Sequence, residues 1–264
     1  MKLGLIGFGG LGSLVAENLA RDAPIQFAGI AARPAQVEKI RALLGDVPVV
    51  ASAPALIALK PDLIVECASH AAFREYAEPV LGAGIELIAV SVGVLADAAY
   101  RERVLAAARR CGVALEIPAG AIGAIDVIAA ARHAGLTRVV YVTRKSPRAW
   151  AGTPAETMID LQSVRAPALF FDDTAERAAQ IFTEKANVAA TLALAGIGFQ
   201  ATRAQFWVDP AVSKSIHHIE ADGACGTLRI DLANNVAPAD GKASLLTAMS
   251  IVQAVRNRFA TLRL

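Results

Sequence analysis

Two places in the sequence carry residues whose types and spacing could do chemistry. Near the start, Gly7-Phe8-Gly9-Gly10-Leu11-Gly12 forms a Gly-x-Gly-x-x-Gly turn between a short apolar run and a helical pattern. In that context Gly7 makes the tight bend, Gly9 lets the backbone approach a pyrophosphate and Gly12 allows close helix–strand packing, with the phosphates held at the helix N-terminus. The second place lies late in the chain, at His217-His218, with Asp126, His133 and Lys145 as further groups for proton transfer. A histidine titrates nearest to neutral pH and suits acid–base work. Neighbours on a strand face opposite sides of a sheet, so at most one of His217 and His218 serves a site, and the pattern does not choose between them.

Other residues gather around these two features. The expected second strand, 25–32, is followed by Arg33 where the usual fingerprint has an acid for the ribose 2′-hydroxyl, so Arg33 meets a 2′-phosphate, stacks on adenine or is solvated at the strand end. Strands expected over 61–68 and 86–90 place Ala68, Ser69 and His70, and Ser91 and Gly93, at carboxyl ends, where a dinucleotide's nicotinamide half would lie. Asn187 opens an apolar helix as an N-cap, and its amide or the helix N-terminus can at the same time face the nicotinamide carboxamide or an anionic substrate. The run Arg144-Lys145-Ser146-Pro147-Arg148 ends a strand with three positive charges, suited to substrate carboxylates or to a solvated edge.

The elements that must position these groups follow from periodicity. The 264 residues are 55% hydrophobic but 5% aromatic, which suits buried aliphatic strands under alanine-rich helices. Helical pattern over 36–44 and 97–110 and strands at 47–51 and 113–117 complete a β-α alternation, and thus a doubly wound Rossmann-type domain over 1–118. Beyond it, a helix at 126–134, strands at 138–144, 205–209, 217–221 and 226–232, and helices at 175–182 and 188–195 imply a second α+β domain, 119–241, on a mixed or antiparallel sheet. A last helix, 242–259 within the segment 242–264, is expected to pack back on the first domain. The class is α/β. The longest apolar stretches fall short of the ~20 residues of a membrane span. The formal charge of +2 is too small and dispersed for nucleic acid. Cys67, Cys111 and Cys225, with no paired spacing, read as small core residues in a reducing cytoplasm, and no metal site is expected.

Taken in order, the glycine turn, Ser91-Val92-Gly93, Gly120-Ala121-Ile122-Gly123-Ala124-Ile125-Asp126, Arg144-Lys145, Trp150-Ala151-Gly152-Thr153-Pro154-Ala155-Glu156, Asn187-Val188-Ala189-Ala190-Thr191 and His217-His218-Ile219-Glu220 resemble the L-aspartate dehydrogenase family along essentially the whole chain. The resemblance implies oxidation of L-aspartate to iminoaspartate with NAD or NADP; the imine is then hydrolysed to oxaloacetate and ammonia or passed on toward quinolinate and NAD synthesis. It also implies a homodimer formed through the second domain. It gives His217 the place of the catalytic histidine, His218 the neighbouring non-catalytic place, and Ala121 and Asn187 cofactor contacts. Arg144, Lys145 and Ser215 are expected at the substrate. The chain departs from the family pattern at Ser215, which replaces an Asn, and at Asp240-Gly241-Lys242-Ala243-Ser244, where the family has Asn-Pro-Lys-Thr-Ser. Two other readings stay open: a related dehydrogenase or reductase such as homoserine dehydrogenase or dihydrodipicolinate reductase, and a dinucleotide-binding sensor without turnover.

Overall fold

A computed structural model describes residues 1–235 and 244–263 of the chain. It divides into two compact units, one formed by Met1–Gly120 with the C-terminal segment from Thr247, the other beginning at Ala121. The first unit alternates strands and helices: β1 (Lys2–Ile6), α1 (Gly10–Leu19), β2 (Gln26–Ala31), α2 (Val37–Leu44), β3 (Val49–Val50), α3 (Ala53–Ala58), β4 (Leu63–Glu66), α4 (His70–Gly82), β5 (Glu86–Ala89), α5 (Ala98–Cys111) and β6 (Leu115–Glu116). The second contains α6 (Ile125–Ala134), β7 (Leu136–Lys145), α7 (Pro147–Trp150), β8 (Ala168–Thr174), α8 (Ala175–Ile181), α9 (Asn187–Ala195), β9 (Arg203–Val208), β10 (Ser215–Gly223) and β11 (Gly226–Asn234), and the chain ends in α10 (Leu245–Arg256).

In the first unit the six strands run parallel in the order β3-β2-β1-β4-β5-β6. The order reverses at β1, and such a switch point opens a crevice at the carboxyl ends of the strands. Both faces of the sheet are covered, so β1 and β4 are almost wholly apolar rather than alternating. Val15, Ala16 and Leu19 of α1 pack into the same core as Ala248, Ile251, Val252 and Val255 of α10. Arg256 pairs with Asp22 at 2.8 Å and Arg258 with Glu86 at 3.0 Å, fixing the chain's end to this unit.

The second unit is a five-stranded mixed sheet in the order β11-β10-β7-β9-β8, in which only β7 and β9 pair in parallel. One face is buried. Along β10 that face carries His217, Ile219 and Ala221, the two-residue alternation of a strand with one covered side. Trp150, Phe170, Phe182 and Phe206 close the core in edge and stacked contacts, and the Trp150 indole donates to the Trp207 carbonyl at 3.0 Å.

Helix and strand ends differ from the sequence expectations by a residue or two at most termini, and α3, α4 and β8 add elements that periodicity does not mark. The expected start of the last helix at Lys242 lies outside the described residues. One cysteine expectation is corrected: Cys67 is buried, but Cys111 ends α5 and Cys225 sits in the β10–β11 turn, and both are exposed. Among the described residues no helix is long and apolar enough to cross a membrane, and no group of metal-ligating side chains assembles.

Candidate cofactor cradle and catalytic face

The three fingerprint glycines are glycine for different reasons. Gly7 has φ +90°, and a Cβ there would stand 2.7 Å from the Ala68 Cβ. A Cβ on Gly12 would lie 2.2 Å from the Gly7 carbonyl oxygen, so the turn closes only with hydrogen at that position. Gly9 is exposed and a Cβ there would meet no protein atom within 4 Å. Nothing in the fold demands glycine at Gly9, and its open side leaves room for a ligand to approach the backbone. Gly9 is also the N-cap of α1, with no side chain capping the helix and no acidic residue in its first turn, so the N–H groups of Gly10, Leu11 and Gly12 belong to a helix start suited to phosphate. These residues fit a dinucleotide.

Glu66, at the end of β4, builds the neighbouring wall. It is 1% exposed, and its carboxylate accepts from the N–H groups of Ala68 (2.7 Å), Ser69 (3.1 Å) and Ser91 (3.0 Å) and from the Ser91 hydroxyl (2.8 Å). Burial pushes its pKa up against the pull of those hydrogen bonds. One side chain thus ties the turn after β4 to the turn after β5. Ser69 caps α4 by accepting from Ala72 N–H at 3.2 Å, His70 is that helix's first residue, and Gly93 lies in the buried turn Val92–Ala96. Sequence reasoning missed Glu66 because the partner that marks it, Ser91, lies 25 residues further along the chain. Glu66→Gln would turn an acceptor oxygen into an NH2 group facing buried N–H donors, and an unsatisfied buried donor costs about 1–3 kcal/mol. The variant should melt several degrees lower and bind dinucleotide more weakly; an unchanged thermal transition would remove Glu66 from this role.

Arg33 is exposed after β2 and precedes the single turn Pro34–Gln36. Lys39 of α2, which the sequence does not single out, reaches the Ser13 hydroxyl at 3.2 Å and so adds a cation against α1.

In the second unit, the buried sheet face collects several of the expected groups. His217 is 3% exposed, opposite Thr143 in the β10–β7 ladder. Its Nδ1 lies 2.7 Å from the Tyr141 hydroxyl, and the two rings stack at 14° with centroids 5.9 Å apart. Burial and the charge of Lys145 push its pKa down to about 3, so the resting imidazole is neutral. Lys145 shares this face at the end of β7, its ammonium 5.1 Å from the Trp150 ring, and burial with the nearby Lys185 charge lowers its pKa to about 8. Ser215 begins β10 on the same side as His217.

Arg144 is not among them. It pairs in register with Ile216, on the opposite face from His217, where it meets Asp209 at 3.5 Å and the Trp207 ring at 5.8 Å. Adjacent strand residues diverge, so the basic run is not one cluster. His218 is also on that outer face, bonded to Asp231 (2.8 Å) and Glu220 (3.3 Å); these bonds outweigh partial burial and raise its pKa. Asp126 and His133 are exposed on α6. Asn187 is the first helical residue of α9 rather than its cap, which is Ala186, and its carbonyl accepts from Thr191 Oγ1 at 2.9 Å. The Ala121 carbonyl accepts from the Asn234 amide. Asp240, Gly241, Lys242 and Ala243 lie outside the described residues.

Comparison with known proteins follows the same division. Residues 126–258 match the family described as aspartate dehydrogenase, C-terminal, and residues 7–118 match the NAD binding domain of homoserine dehydrogenase. The chain is 41% identical to the L-aspartate dehydrogenase of Ralstonia nicotianae, covering 98% of this chain and 97% of that one. It is 41% identical to that of Ruegeria pomeroyi, covering 100% and 94%, and 39% identical to that of Pseudomonas aeruginosa, covering 97% of each. The crystal structure of aspartate dehydrogenase from Thermotoga maritima shares the fold, with a TM-score of 0.78 over 100% of this chain and 99% of that one at 24% identity. A dinucleotide cradle, a sheet face carrying a buried histidine and this near-full-length identity together make the chain a member of the aspartate dehydrogenase family.

Proposed function

We propose that the chain is an NAD(P)-dependent L-aspartate dehydrogenase that oxidises the amino acid to iminoaspartate, from which oxaloacetate and ammonia form by hydrolysis. The observation that carries this is identity of about 40% with L-aspartate dehydrogenases over almost the entire chain. The bound nicotinamide supplies the hydride acceptor; every other requirement falls on the chain. Hydride leaves Cα only when the amine is neutral, so a base must take its proton. His217 is the group we assign to this step. Burial and Lys145 hold its pKa low, and a substrate with two carboxylates beside it favours the protonated imidazole, raising the pKa when proton transfer is needed. Lys145 is the cation on that face best placed to hold a carboxylate, and the same anion stabilises its ammonium. Ser215 offers a hydroxyl where relatives of the family pattern carry an amide, through contact or a bridging water.

On the first unit, Gly9, Gly10, Leu11 and Gly12 hold the pyrophosphate, the segment Ala68, Ser69 and His70 and the Ser91–Gly93 turn flank the nicotinamide half, and Arg33 answers a 2′-phosphate. Ala121 and Asn187 add cofactor contacts by family position. The reading includes a homodimer, supported by the outer face of the second unit's sheet. There Ile216 and Trp207 flank Arg144. It also includes the cytoplasm, where free thiols and dinucleotide coexist.

The test is to mix the purified protein with L-aspartate and NAD or NADP and follow the absorbance of reduced nicotinamide, with other amino acids in parallel. Reduction confined to L-aspartate is expected, and Arg33→Ala should weaken NADP more than NAD; sedimentation should give a dimer. Cofactor binding without reduction by any amino acid would overturn the reading in favour of a sensor.

A further inference from the structure

NAD and NADP differ only by a phosphate on the 2′-hydroxyl of the adenosine ribose, and in this fold that ribose is read at the carboxyl end of β2. The chain carries no acid there. Strand β2 ends at Ala31, and Ala32, Arg33, Pro34, Ala35 and Gln36 follow. The first carboxylate after β2 is Glu38, and Arg41 pairs with it at 3.1 Å. We propose that Lys39 joins Arg33 in a 2′-phosphate site, so that the chain binds NADP in preference to NAD. This deepens the cofactor reading above and rests on the glycine turn holding a dinucleotide.

Lys39 is tied to the glycine turn itself. Its ammonium donates to the Ser13 hydroxyl at 3.2 Å, and that hydroxyl donates to the Gly10 carbonyl at 3.2 Å. Ser13 follows Gly12 in α1 and is buried. The same ammonium stands 6.0 Å from the ring of Phe8, the residue between Gly7 and Gly9. These contacts fix where the charge is held, while the side chain stays exposed and open to a ligand. Of the three ammonium protons Ser13 takes one, and the others lack an anion. Glu17, which lines the same groove, is paired with Arg21 at 3.0 Å, and among the described residues neither Lys39 nor Arg33 is in an ion pair. Position separates this charge from the pyrophosphate. The pyrophosphate belongs over the free N–H groups at the start of α1, whereas Lys39 approaches from α2, the helix that follows β2. Arg33 stands at the head of the same run. Its carbonyl accepts from Gln36 N–H at 2.9 Å, the turn Pro34–Gln36 leads directly into α2, and Lys39 lies in that helix's first turn. Six residues of such chain advance about 10 Å, a span that two long cationic side chains close over one phosphate. A phosphate monoester brings close to two negative charges at neutral pH, which two cations match. NAD offers a neutral hydroxyl in its place.

Binding reads this site apart from turnover. The full-length protein is titrated calorimetrically with NADP, NAD, adenosine 2′,5′-bisphosphate and adenosine 5′-monophosphate, with no amino acid present. NADP should bind at least about tenfold more tightly than NAD, and the bisphosphate should exceed the monophosphate by a similar factor. Lys39→Gln should narrow the gap between NADP and NAD at least about fivefold, Lys39→Arg should keep most of it, and Lys39→Glu should reverse it. Arg33→Ala combined with Lys39→Gln should leave the two dinucleotides nearly equal. Equal affinity of the unaltered protein for NADP and NAD would overturn the proposal. So would a Lys39→Gln protein that loses both dinucleotides alike, which would put the ammonium on the pyrophosphate, or one that keeps the original gap. Because the titrations of the unaltered chain already decide the preference, a variant that fails to fold leaves the test intact. Binding of neither dinucleotide would overturn the cradle reading and the proposal together, an outcome distinct from equal binding of the two.

Discussion

His217→Ala should lower turnover of L-aspartate by about 10²–10⁴-fold, the usual contribution of a positioned acid or base, with the dissociation constant for NAD or NADP nearly unchanged. The separation follows from where the residue lies: it belongs to the sheet of the second unit, whereas the glycine cradle belongs wholly to the first. His218→Ala is the control, since that ring faces the other side and is bonded to Asp231 and Glu220. A stability measurement gives a second check. An unfolded histidine titrates near 6.5, but in the fold burial and Lys145 push His217 down to about 3. Between those values the unfolded chain binds the extra proton and the native chain does not, so native stability falls as pH drops through that window. His217→Ala should remove this share of the acid sensitivity. Wild-type turnover in the variant would end the catalytic assignment; unchanged acid sensitivity would mean that the imidazole is not held neutral.

Much of this arrangement was legible in the sequence because it is local. The glycine turn between an apolar strand and a helix needs only a dozen residues to be read, and strand alternation alone puts His217 and His218 on opposite faces. What could not be read depends on partners far apart in the chain or on broken periodicity. Glu66 ends an apolar run and looks like an ordinary strand terminus until Ser91 arrives beside it. Tyr141 is one aromatic among several in a strand, and only the register of β7 against β10 brings it to His217. Strand β8 escaped notice because its ladder shifts register between Leu169 and Phe171, so neighbouring phenylalanines replace an apolar–polar alternation. The grouping of Arg144 with Lys145 erred for the opposite reason: adjacency in sequence is divergence in a strand, and the rule that separates the two histidines separates these two cations as well.

The glycine turn yields the second large effect, and its value lies in a contrast. Gly12→Ala should cost both fold and ligand. Its new Cβ would stand 2.2 Å from the Gly7 carbonyl oxygen, and both the obstructing atom and the substituted residue are backbone of the same tight turn, so no side chain can rotate away. Forcing extra volume into such a packed place costs typically about 1–3 kcal/mol, and the displaced turn would no longer present α1's first N–H groups to a pyrophosphate. Gly9→Ala should cost ligand alone. Its Cβ enters open space and its backbone already has φ −74°, which alanine adopts readily, so the melting temperature of the unliganded protein should stay within a degree or so of the parent. Dinucleotide affinity should nevertheless fall by on the order of tenfold to a hundredfold, about 1.4–2.8 kcal/mol, because the methyl group occupies the approach of the phosphates. Calorimetric titration of NAD and NADP against both variants, with thermal melts of the unliganded proteins, reads the two effects apart. If Gly9→Ala binds dinucleotide as tightly as the parent, the pyrophosphate does not pass over Gly9, and the open space beside it has no ligand to explain it. If Gly12→Ala melts like the parent, the turn relaxes more freely than the contact between Gly12 and Gly7 allows. A loss of affinity in both, with a loss of stability in only one, would identify Gly9 as the glycine kept for the ligand and Gly12 as the glycine kept for the fold.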